Sequence, residues 1–202
     1  MRVRPPADTT NARILLLIHG LTGDEHSMWV FSRRFPEQYC IIAPRAPMAY
    51  AQGGYTWVDA GLPERPGIDQ FTPAVPRLLT ELAGWLDDFK LPPQPMDLIG
   101  FSQGTAMVYS ILLTQPWQVN RMAALCGFLP AGAEKYIPPG SLNGKKIFVS
   151  HGVNDPVIPV EEARKAVPVL QRGGAEVSYC EEDTGHKLSV QCTHGLEDFF
   201  EL

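Results

Sequence analysis

Short apolar runs alternate with helix-like segments along this chain, and this alternation is the feature that most restricts its fold. Runs typical of buried strands lie at 13–20, 40–44, 96–102, 145–152 and 175–182. The segment 121–130 also starts with such a run. Helix-like patterns lie at 24–35, 74–89, 103–115, 159–174 and 188–200. Continuous apolar strands separated by helices predict an α/β fold, in which helices cover both faces of a mostly parallel sheet.

Length, composition and net charge limit the kinds of protein that this chain can be. It has 202 residues, of which 45% are hydrophobic and 19% are charged, with a net charge of −5. That length suits one domain with a full core, so we expect residues 1–202 to form a single domain. The acidic balance disfavours nucleic acid or an anionic membrane as the main partner. The apolar run at 14–18 is far shorter than the roughly 20 residues that a membrane span needs.

The four cysteines show no paired CxxC spacing, and most of them lie in or beside strand-like runs. We therefore expect buried free thiols in a reducing compartment rather than disulfides, and a cytoplasmic location. The charged start of the chain, followed by a short apolar run that ends in His-Gly, is not expected to act as a signal peptide.

Parallel sheets gather their ligands at the carboxyl ends of the strands, so the residues that follow each strand are the candidates for chemistry. The third strand runs into Gly100-Phe101-Ser102-Gln103-Gly104, and a helix pattern follows at once. A strand that turns into a helix over one residue leaves no room for side chains two positions away, which explains the flanking glycines. The pattern G-x-S-x-G in this setting predicts that Ser102 is a raised nucleophile.

A serine hydroxyl needs a base, and the base needs an acid that orients it. Two late histidines are candidates for the base. His186 follows the last strand in a glycine-containing loop and is favoured over His194, which falls within the last helix pattern. For the acid we favour Asp155, just past a strand end and before a proline.

The rival acids Glu181, Glu182 and Asp183 precede His186 too closely to reach its far nitrogen easily. An alternative role for Asp155 is to cap the helix that starts near Pro159.

An acyl-transfer reaction also needs N–H donors for the oxyanion. We expect these from the backbone of Gln103 and from that of Leu21, in the glycine-containing loop after the first strand. The histidine at 151 is expected to contact the loop of Asp155 without a part in the reaction, and Cys126 to be a core residue.

Several motifs in their chain order resemble the α/β-hydrolase fold, and within it the phospholipase/carboxylesterase family with its acyl-protein thioesterases and small carboxylesterases. They are HGLTGDE at 19–25, PRAP at 44–47, Trp57, GFSQG at 100–104, HGVNDPVIP at 151–159 and Gly-His at 185–186. The resemblance implies Ser102, Asp155 and His186 as nucleophile, acid and base, and Leu21 and Gln103 as oxyanion donors. It implies no cofactor, and it places Trp57 near the substrate entrance.

Two further aromatic residues, Tyr55 and Phe71, either line the acyl pocket with Trp57 or pack the proline-rich segment around them. No metal-ligand spacing is present in the sequence. The expected fold is an α/β-hydrolase with a minimal lid.

The expected activity is hydrolysis of short to medium carboxylic esters through an acyl-enzyme. The alternatives are acyl-protein thioesterase or lysophospholipase activity, and hydrolysis of another activated carbonyl such as a lactone. The alternative from another functional class is a binding module that has this fold but no catalytic activity. The expected partner is a small-molecule ester or thioester, without nucleic acid or integral membrane association, and a homodimer is left open.

Overall fold

A computed structural model describes residues 1–59, 61 and 65–202. Residues 60 and 62–64 belong to the proline-rich segment and lie outside the described residues. The predictions about the shape of that segment and about a minimal lid therefore extend partly beyond what the structure describes.

In the described residues, seven strands form the central sheet, and two short ones form a hairpin beside it. The strands are β1 (Arg2–Arg4), β2 (Arg13–Ile18), β3 (Tyr39–Ala43), β4 (Met48–Ala49), β5 (Tyr55–Thr56), β6 (Met96–Phe101), β7 (Val119–Leu125), β8 (Lys146–Gly152) and β9 (Glu176–Glu182). The sheet order is β1-β3-β2-β6-β7-β8-β9, and β4 pairs with β5. All neighbouring pairs in the sheet are parallel except β1 with β3.

The same part of the chain contains five α-helices and three short 3₁₀ segments, which lie between the strands or, for the last helix, after them. The helices are α1 (Ile68–Phe71), α2 (Ala74–Asp88), α3 (Gln103–Thr114), α4 (Glu161–Arg172) and α5 (Val190–Phe200). The 3₁₀ segments are Trp29–Arg34, Pro116–Gln118 and Ala133–Tyr136.

The helices cover both faces of the sheet because successive strand side chains point to opposite sides. Buried residues of α2, α3 and α4 pack on one face, against Leu16 and Leu98 among others. Leu196 and Phe200 of α5 pack on the other face, against Leu15 and Leu17. The α/β architecture predicted from the sequence, with a mostly parallel sheet between two helical layers, is confirmed.

The helix predicted over 24–35 is wrong for its first half. Only Trp29–Arg34 is helical, and it is a 3₁₀ segment. The Asp24 carboxylate accepts hydrogen bonds from the backbone N–H groups of His26 and Ser27, which closes a turn there instead. Such local side-chain bonds compete with helix formation, which is why an amphipathic pattern alone misjudged this segment.

The prediction of four free thiols is also wrong in part. Cys180 on β9 and Cys192 on α5 form a disulfide, while Cys40 and Cys126 are free and buried. The two paired residues are 12 positions apart. Chain reversal between β9 and α5 brings them together, and cysteine spacing alone does not reveal such a pair.

Candidate active site

Ser102 stands at the junction of β6 and α3 in a strained backbone conformation. Its φ is 55° and its ψ is −120°, a region that residues with a side chain rarely occupy. The strain is held by the strand on one side and the helix on the other. The side chain is partly exposed at the carboxyl edge of the sheet, as the G-x-S-x-G pattern predicts.

The two glycines of this motif are required by close backbone approach. A Cβ atom on Gly100 would lie 2.4 Å from the carbonyl oxygen of Gly104. A Cβ atom on Gly104 would lie 2.2 Å from the carbonyl oxygen of Ile18, on the neighbouring strand β2. Both distances are shorter than any non-bonded contact, so only glycine allows helix α3 to start this close to the sheet.

The loop after β2 lies directly against the serine. A Cβ atom on Gly20 would lie 3.5 Å from Ser102 Oγ. The carbonyl oxygen of Gly20 accepts hydrogen bonds from the N–H of Gly23 and from His19 Nδ1, the latter at 2.7 Å. Because C=O and N–H point in opposite directions in a trans peptide, the N–H of Leu21 points away from these groups.

The N–H groups of Leu21 and Gln103 both lack an acceptor within the part of the chain that the structure describes. Gln103 is the first residue of α3, where the N–H groups of the first turn are free of intrahelical partners. Unpaired backbone donors on both sides of a serine form an arrangement suited to an oxyanion.

Asp155 and His186 come from two loops at the carboxyl ends of β8 and β9. His186 Nδ1 lies 2.6 Å from Asp155 Oδ2, and the carboxylate side chain has no exposed surface. The loops pack tightly, since a Cβ atom on Gly152 would meet the carbonyl oxygen of Gly185 at 2.2 Å. This pairing fixes Nδ1–H as the donor, and it leaves Nε2 of His186 free to accept a proton.

The other carboxylate oxygen of Asp155 is occupied by its own turn. Oδ1 accepts hydrogen bonds from the N–H groups of Val157 at 2.8 Å and Ile158 at 2.9 Å. Burial acts to raise the pKa of Asp155, but the hydrogen bond from His186 and those from the two backbone N–H groups outweigh it. The net pKa lies below the ordinary value for this side chain, so the group is ionised at neutral pH.

His186 and Ser102 lie at the same edge of the sheet. The imidazole ring packs against Phe101, the residue before the serine, with ring centroids 4.9 Å apart. Within the described residues, no hydrogen bond joins the serine hydroxyl to the imidazole. Catalytic hydrogen bonds are often long before substrate binds, and they tighten in the complex.

The rival candidates lie elsewhere or have other partners. His194 is exposed on α5. Glu181 is held by Arg164 and Tyr179, and Asp183 accepts a hydrogen bond from Asn154.

The free thiol of Cys126 lies in the core. Burial, with a smaller contribution from the charge of Asp155, raises the pKa of Cys126 to about 12. The thiol is therefore protonated and unreactive at neutral pH.

The three aromatic residues predicted to bind substrate are placed differently from one another. Tyr55 is half-buried on β5, and Arg45 stacks over its ring at 4.7 Å. Trp57 is buried, and its indole N–H donates a hydrogen bond to the carbonyl oxygen of His19. Phe71 is fully buried and packs against Phe128, so it has no surface through which to contact a substrate.

A cavity of about 370 Å³ borders Trp57, and residues of α2 and of the strands β2 and β3 line it. Apolar side chains such as Leu16, Ile42 and Leu78 line it, with Arg45 and Arg77 at its margin. Ser102 and His186 are not among the residues that line it.

One residue of the site was missed by the sequence reasoning. His19 is buried, donates from Nδ1 to the carbonyl oxygen of Gly20, and accepts from the N–H of Ala46 at Nε2. It thereby fixes the orientation of the Gly20–Leu21 peptide. Its place directly after an apolar strand is the pattern that could have identified it.

No group of three or more His, Cys, Asp or Glu side chains in the described residues is arranged to hold a metal ion. None of the helices among these residues is long and apolar enough to cross a membrane.

Comparison with known proteins places these features in a family. The family model for phospholipase/carboxylesterase matches residues 1–202. Acyl-protein thioesterase 1 of Debaryomyces hansenii is 28% identical over 182 residues, which is 79% of this chain and 77% of that protein. Esterase YpfH of Escherichia coli (strain K12) is 26% identical over 188 residues, 90% of this chain and 78% of that protein.

A solved structure agrees at the level of the fold. The carboxylesterase of Bacillus cereus superposes with a TM-score of 0.83 at 18% identity, covering 99% of this chain and 92% of that one. The sheet order, the strained serine and the match along the whole chain lead to one conclusion: this protein is a hydrolase with the α/β-hydrolase fold and belongs to the phospholipase/carboxylesterase family.

Proposed function

We propose that the protein cleaves carboxylic esters of short to medium acyl chains through an acyl-enzyme on Ser102. The observation that carries the proposal is the Asp155–His186 hydrogen bond of 2.6 Å, at the same sheet edge as a serine with φ 55°. A base oriented by a buried carboxylate is what a serine hydroxyl needs to become a nucleophile at neutral pH.

The first half of the reaction forms the acyl-enzyme. His186 Nε2 takes the proton from Ser102 Oγ as the oxygen attacks the ester carbonyl carbon. The negative charge on the carbonyl oxygen is stabilised by the N–H groups of Leu21 and Gln103, and Asp155 stabilises the imidazolium. When the tetrahedral intermediate collapses, the C–O bond to the leaving alcohol breaks, and His186 gives its proton to that alcohol.

The second half releases the acid. His186 takes a proton from water, whose oxygen attacks the acyl carbon, and the same two N–H groups stabilise the second oxyanion. Collapse breaks the bond to Ser102 Oγ, which regains its proton from His186. Each oxyanion donor of this kind contributes about a hundredfold to a thousandfold in rate.

Ser102→Ala tests the proposal directly. We expect the variant to keep its fold, because alanine fits the same backbone, and to lose at least a thousandfold in the hydrolysis of p-nitrophenyl butyrate. Circular dichroism provides the control for folding. Labelling by a fluorophosphonate probe should occur in the wild type and be absent in the variant. Near-normal turnover by the variant would refute the serine mechanism, and an unlabelled, inactive wild type would favour a binding module.

Acyl-protein thioesterase activity is the second candidate, and it is supported by relatives that bear this name. Thioester and oxygen-ester substrates with the same acyl group distinguish the two activities by their kcat/KM. Lysolipids and lactones belong in the same panel, since both contain a carboxylic ester carbonyl.

For the protein as a whole, we propose that residues 1–202 act as one domain on a small-molecule ester without a cofactor. A homodimer stays a prediction, for which sedimentation provides the test. A cytoplasmic location also stays a prediction, and the Cys180–Cys192 disulfide is the observation against it.

A further inference from the structure

A second histidine lies behind the catalytic acid. His151, on β8, has a side chain with no exposed surface. Its Nε2 lies 2.8 Å from the carbonyl oxygen of Ile158 and 3.3 Å from Asp155 Oδ2. Asp155 Oδ2 is the same oxygen that accepts the hydrogen bond from His186.

The partners of His151 define its protonation at each nitrogen. A carbonyl oxygen can only accept, so Nε2 carries a hydrogen and donates it to Ile158. In the part of the chain that the structure describes, the buried Nδ1 has no hydrogen-bond partner. A proton on Nδ1 would be a buried donor without an acceptor, which is costly, and the neutral Nε2–H tautomer therefore suits this environment.

The hydrogen bond from His151 ties down the turn that presents the catalytic carboxylate. The N–H of Ile158 donates to Asp155 Oδ1 at 2.9 Å, while its carbonyl oxygen accepts from His151. The ring thus connects strand β8 to the far end of this turn. With Oδ1 fixed by the turn, Oδ2 is directed at His186.

The position of the ring also has an electrostatic consequence. The N–H of His151 has the positive end of its dipole close to Oδ2, in a buried place where such interactions are strong. It favours negative charge on the same oxygen that must stabilise the imidazolium of His186.

We propose that His151 is a positioning residue for the reaction. It fixes the turn at 155–158 and stabilises the negative charge of Asp155, so that Oδ2 stays in hydrogen-bond contact with His186. This inference rests on the proposed function, because it assigns a part in the reaction of Ser102. His151 itself does not contact the reacting atoms.

Two substitutions separate the hydrogen bond from the space that the ring fills. His151→Phe keeps an aromatic ring, though a larger one, and removes the donor, and we expect kcat for p-nitrophenyl butyrate to fall about tenfold while KM stays within twofold. His151→Gln places an amide N–H near the former Nε2, and we expect it to retain most of kcat. His194→Gln, on the exposed face of α5, is the matched control and should behave as the wild type.

A spectroscopic measurement distinguishes positioning from simple structural support. The Nδ1–H proton of His186 should give a downfield resonance in the wild type and in His151→Gln. In His151→Phe we expect it to move upfield or broaden. A purely structural role would lower the melting temperature without changing this resonance in the folded protein. If His151→Phe does not fold, His151→Asn replaces it, because its amide is too short to reach Ile158.

Nitrogen-15 shifts of His151 in the wild type test the inference without any substitution. The inference requires a hydrogen on Nε2 and none on Nδ1, and the opposite tautomer would overturn it. It would also fail if the variant without the donor kept wild-type kcat and an unchanged His186 resonance. The proposed function is decided separately, by wild-type turnover and its loss in Ser102→Ala.

Discussion

At the scale of single residues, the site depends on side chains whose hydrogen-bond partners are fixed by the surrounding backbone and side chains. Asp155 is the clearest case, since one oxygen accepts from its own turn and the other from His186. Both oxygens must therefore be acceptors. Replacing one of them by an amide NH₂ changes the hydrogen bonding without changing the size of the side chain.

Asp155→Asn should lower kcat by about a thousandfold or more, because an amide that donates toward His186 favours the wrong imidazole tautomer. The melting temperature should fall only slightly if the amide oxygen keeps the Oδ1 position. The rate with a p-nitrophenyl ester measures the effect. Asp183→Asn, at one of the rival acids, is the control and should retain activity; equal losses in both variants would contradict the assignment.

Gly104, two residues after the serine, is a position where helix α3 closely approaches strand β2. In Gly104→Ala the new methyl group would meet the backbone of Ile18 at 2.2 Å, so the helix or the strand must shift. We expect a loss of about 2–3 kcal/mol in the free energy of unfolding. Gly84→Ala on α2 is the matched control, since its Cβ atom would enter open space and should stabilise the helix by about 0.5–1 kcal/mol. Urea unfolding measures both, and equal effects would argue against the close approach.

At the scale of elements, the base depends on the loop between β9 and α5. The disulfide joins Cys180 to Cys192, and His186 lies within the loop that it closes. Ser189 caps α5 by accepting a hydrogen bond from the N–H of Cys192. The loop is therefore fixed at both ends, by a strand in the sheet and by the first turn of a helix.

Replacing Cys180 and Cys192 together by alanine should reduce the free energy of unfolding by about 2–4 kcal/mol, since closing the loop restricts the unfolded chain. We also expect faster amide hydrogen exchange within 183–189, because these residues lose a tether near the base. Exchange monitored by mass spectrometry measures this effect. Replacing the unpaired Cys40 by alanine is a control for the loss of a buried thiol, and it should leave exchange in this loop unchanged.

At the scale of the whole molecule, the two ends of the sheet have different roles. The carboxyl end holds the candidate site, where the backbone N–H groups of Leu21 and Gln103 have no acceptor within the described residues. At the opposite end, the buried carboxylate of Asp97 is enclosed by Arg13, Tyr39, Asn120 and Arg121. Burial still raises the pKa of Asp97 above its usual value. This cluster joins the starts of four strands, β2, β3, β6 and β7, at the end of the sheet opposite to the candidate site.

The stability of the whole fold should depend on pH through His19. Burial disfavours the charged form of His19 and lowers its pKa below the usual 6.5, although the hydrogen bond to Gly20 acts in the opposite direction. The unfolded chain therefore binds a proton more readily than the folded one, so stability is fully present above pH 6.5 and falls as the pH decreases below it. Urea midpoints between pH 8 and pH 5 measure this slope. His19→Gln should flatten it, and an unchanged slope would contradict the assignment.

Much of this molecule follows from local patterns in the sequence. The apolar runs determined the strands, because a buried parallel sheet requires uninterrupted apolar residues. The glycines around Ser102 indicated the sharp turn, since only glycine fits there. Once the sheet was expected, the carboxyl ends of its strands identified Asp155 and His186 as candidates. These inferences needed only periodicity, glycine sterics and chain order.

Other features were decided by tertiary contacts rather than by local patterns in the sequence. The pairing of Cys180 with Cys192, the role of His19 against the Gly20–Leu21 peptide and the burial of Phe71 depend on which segments pack together. The contact of His151 with Ile158 and Asp155 depends on how its strand meets the following turn. Local sequence determines backbone preference, whereas the partners of each polar group are determined only when packing excludes water and places donors and acceptors within hydrogen-bond distance.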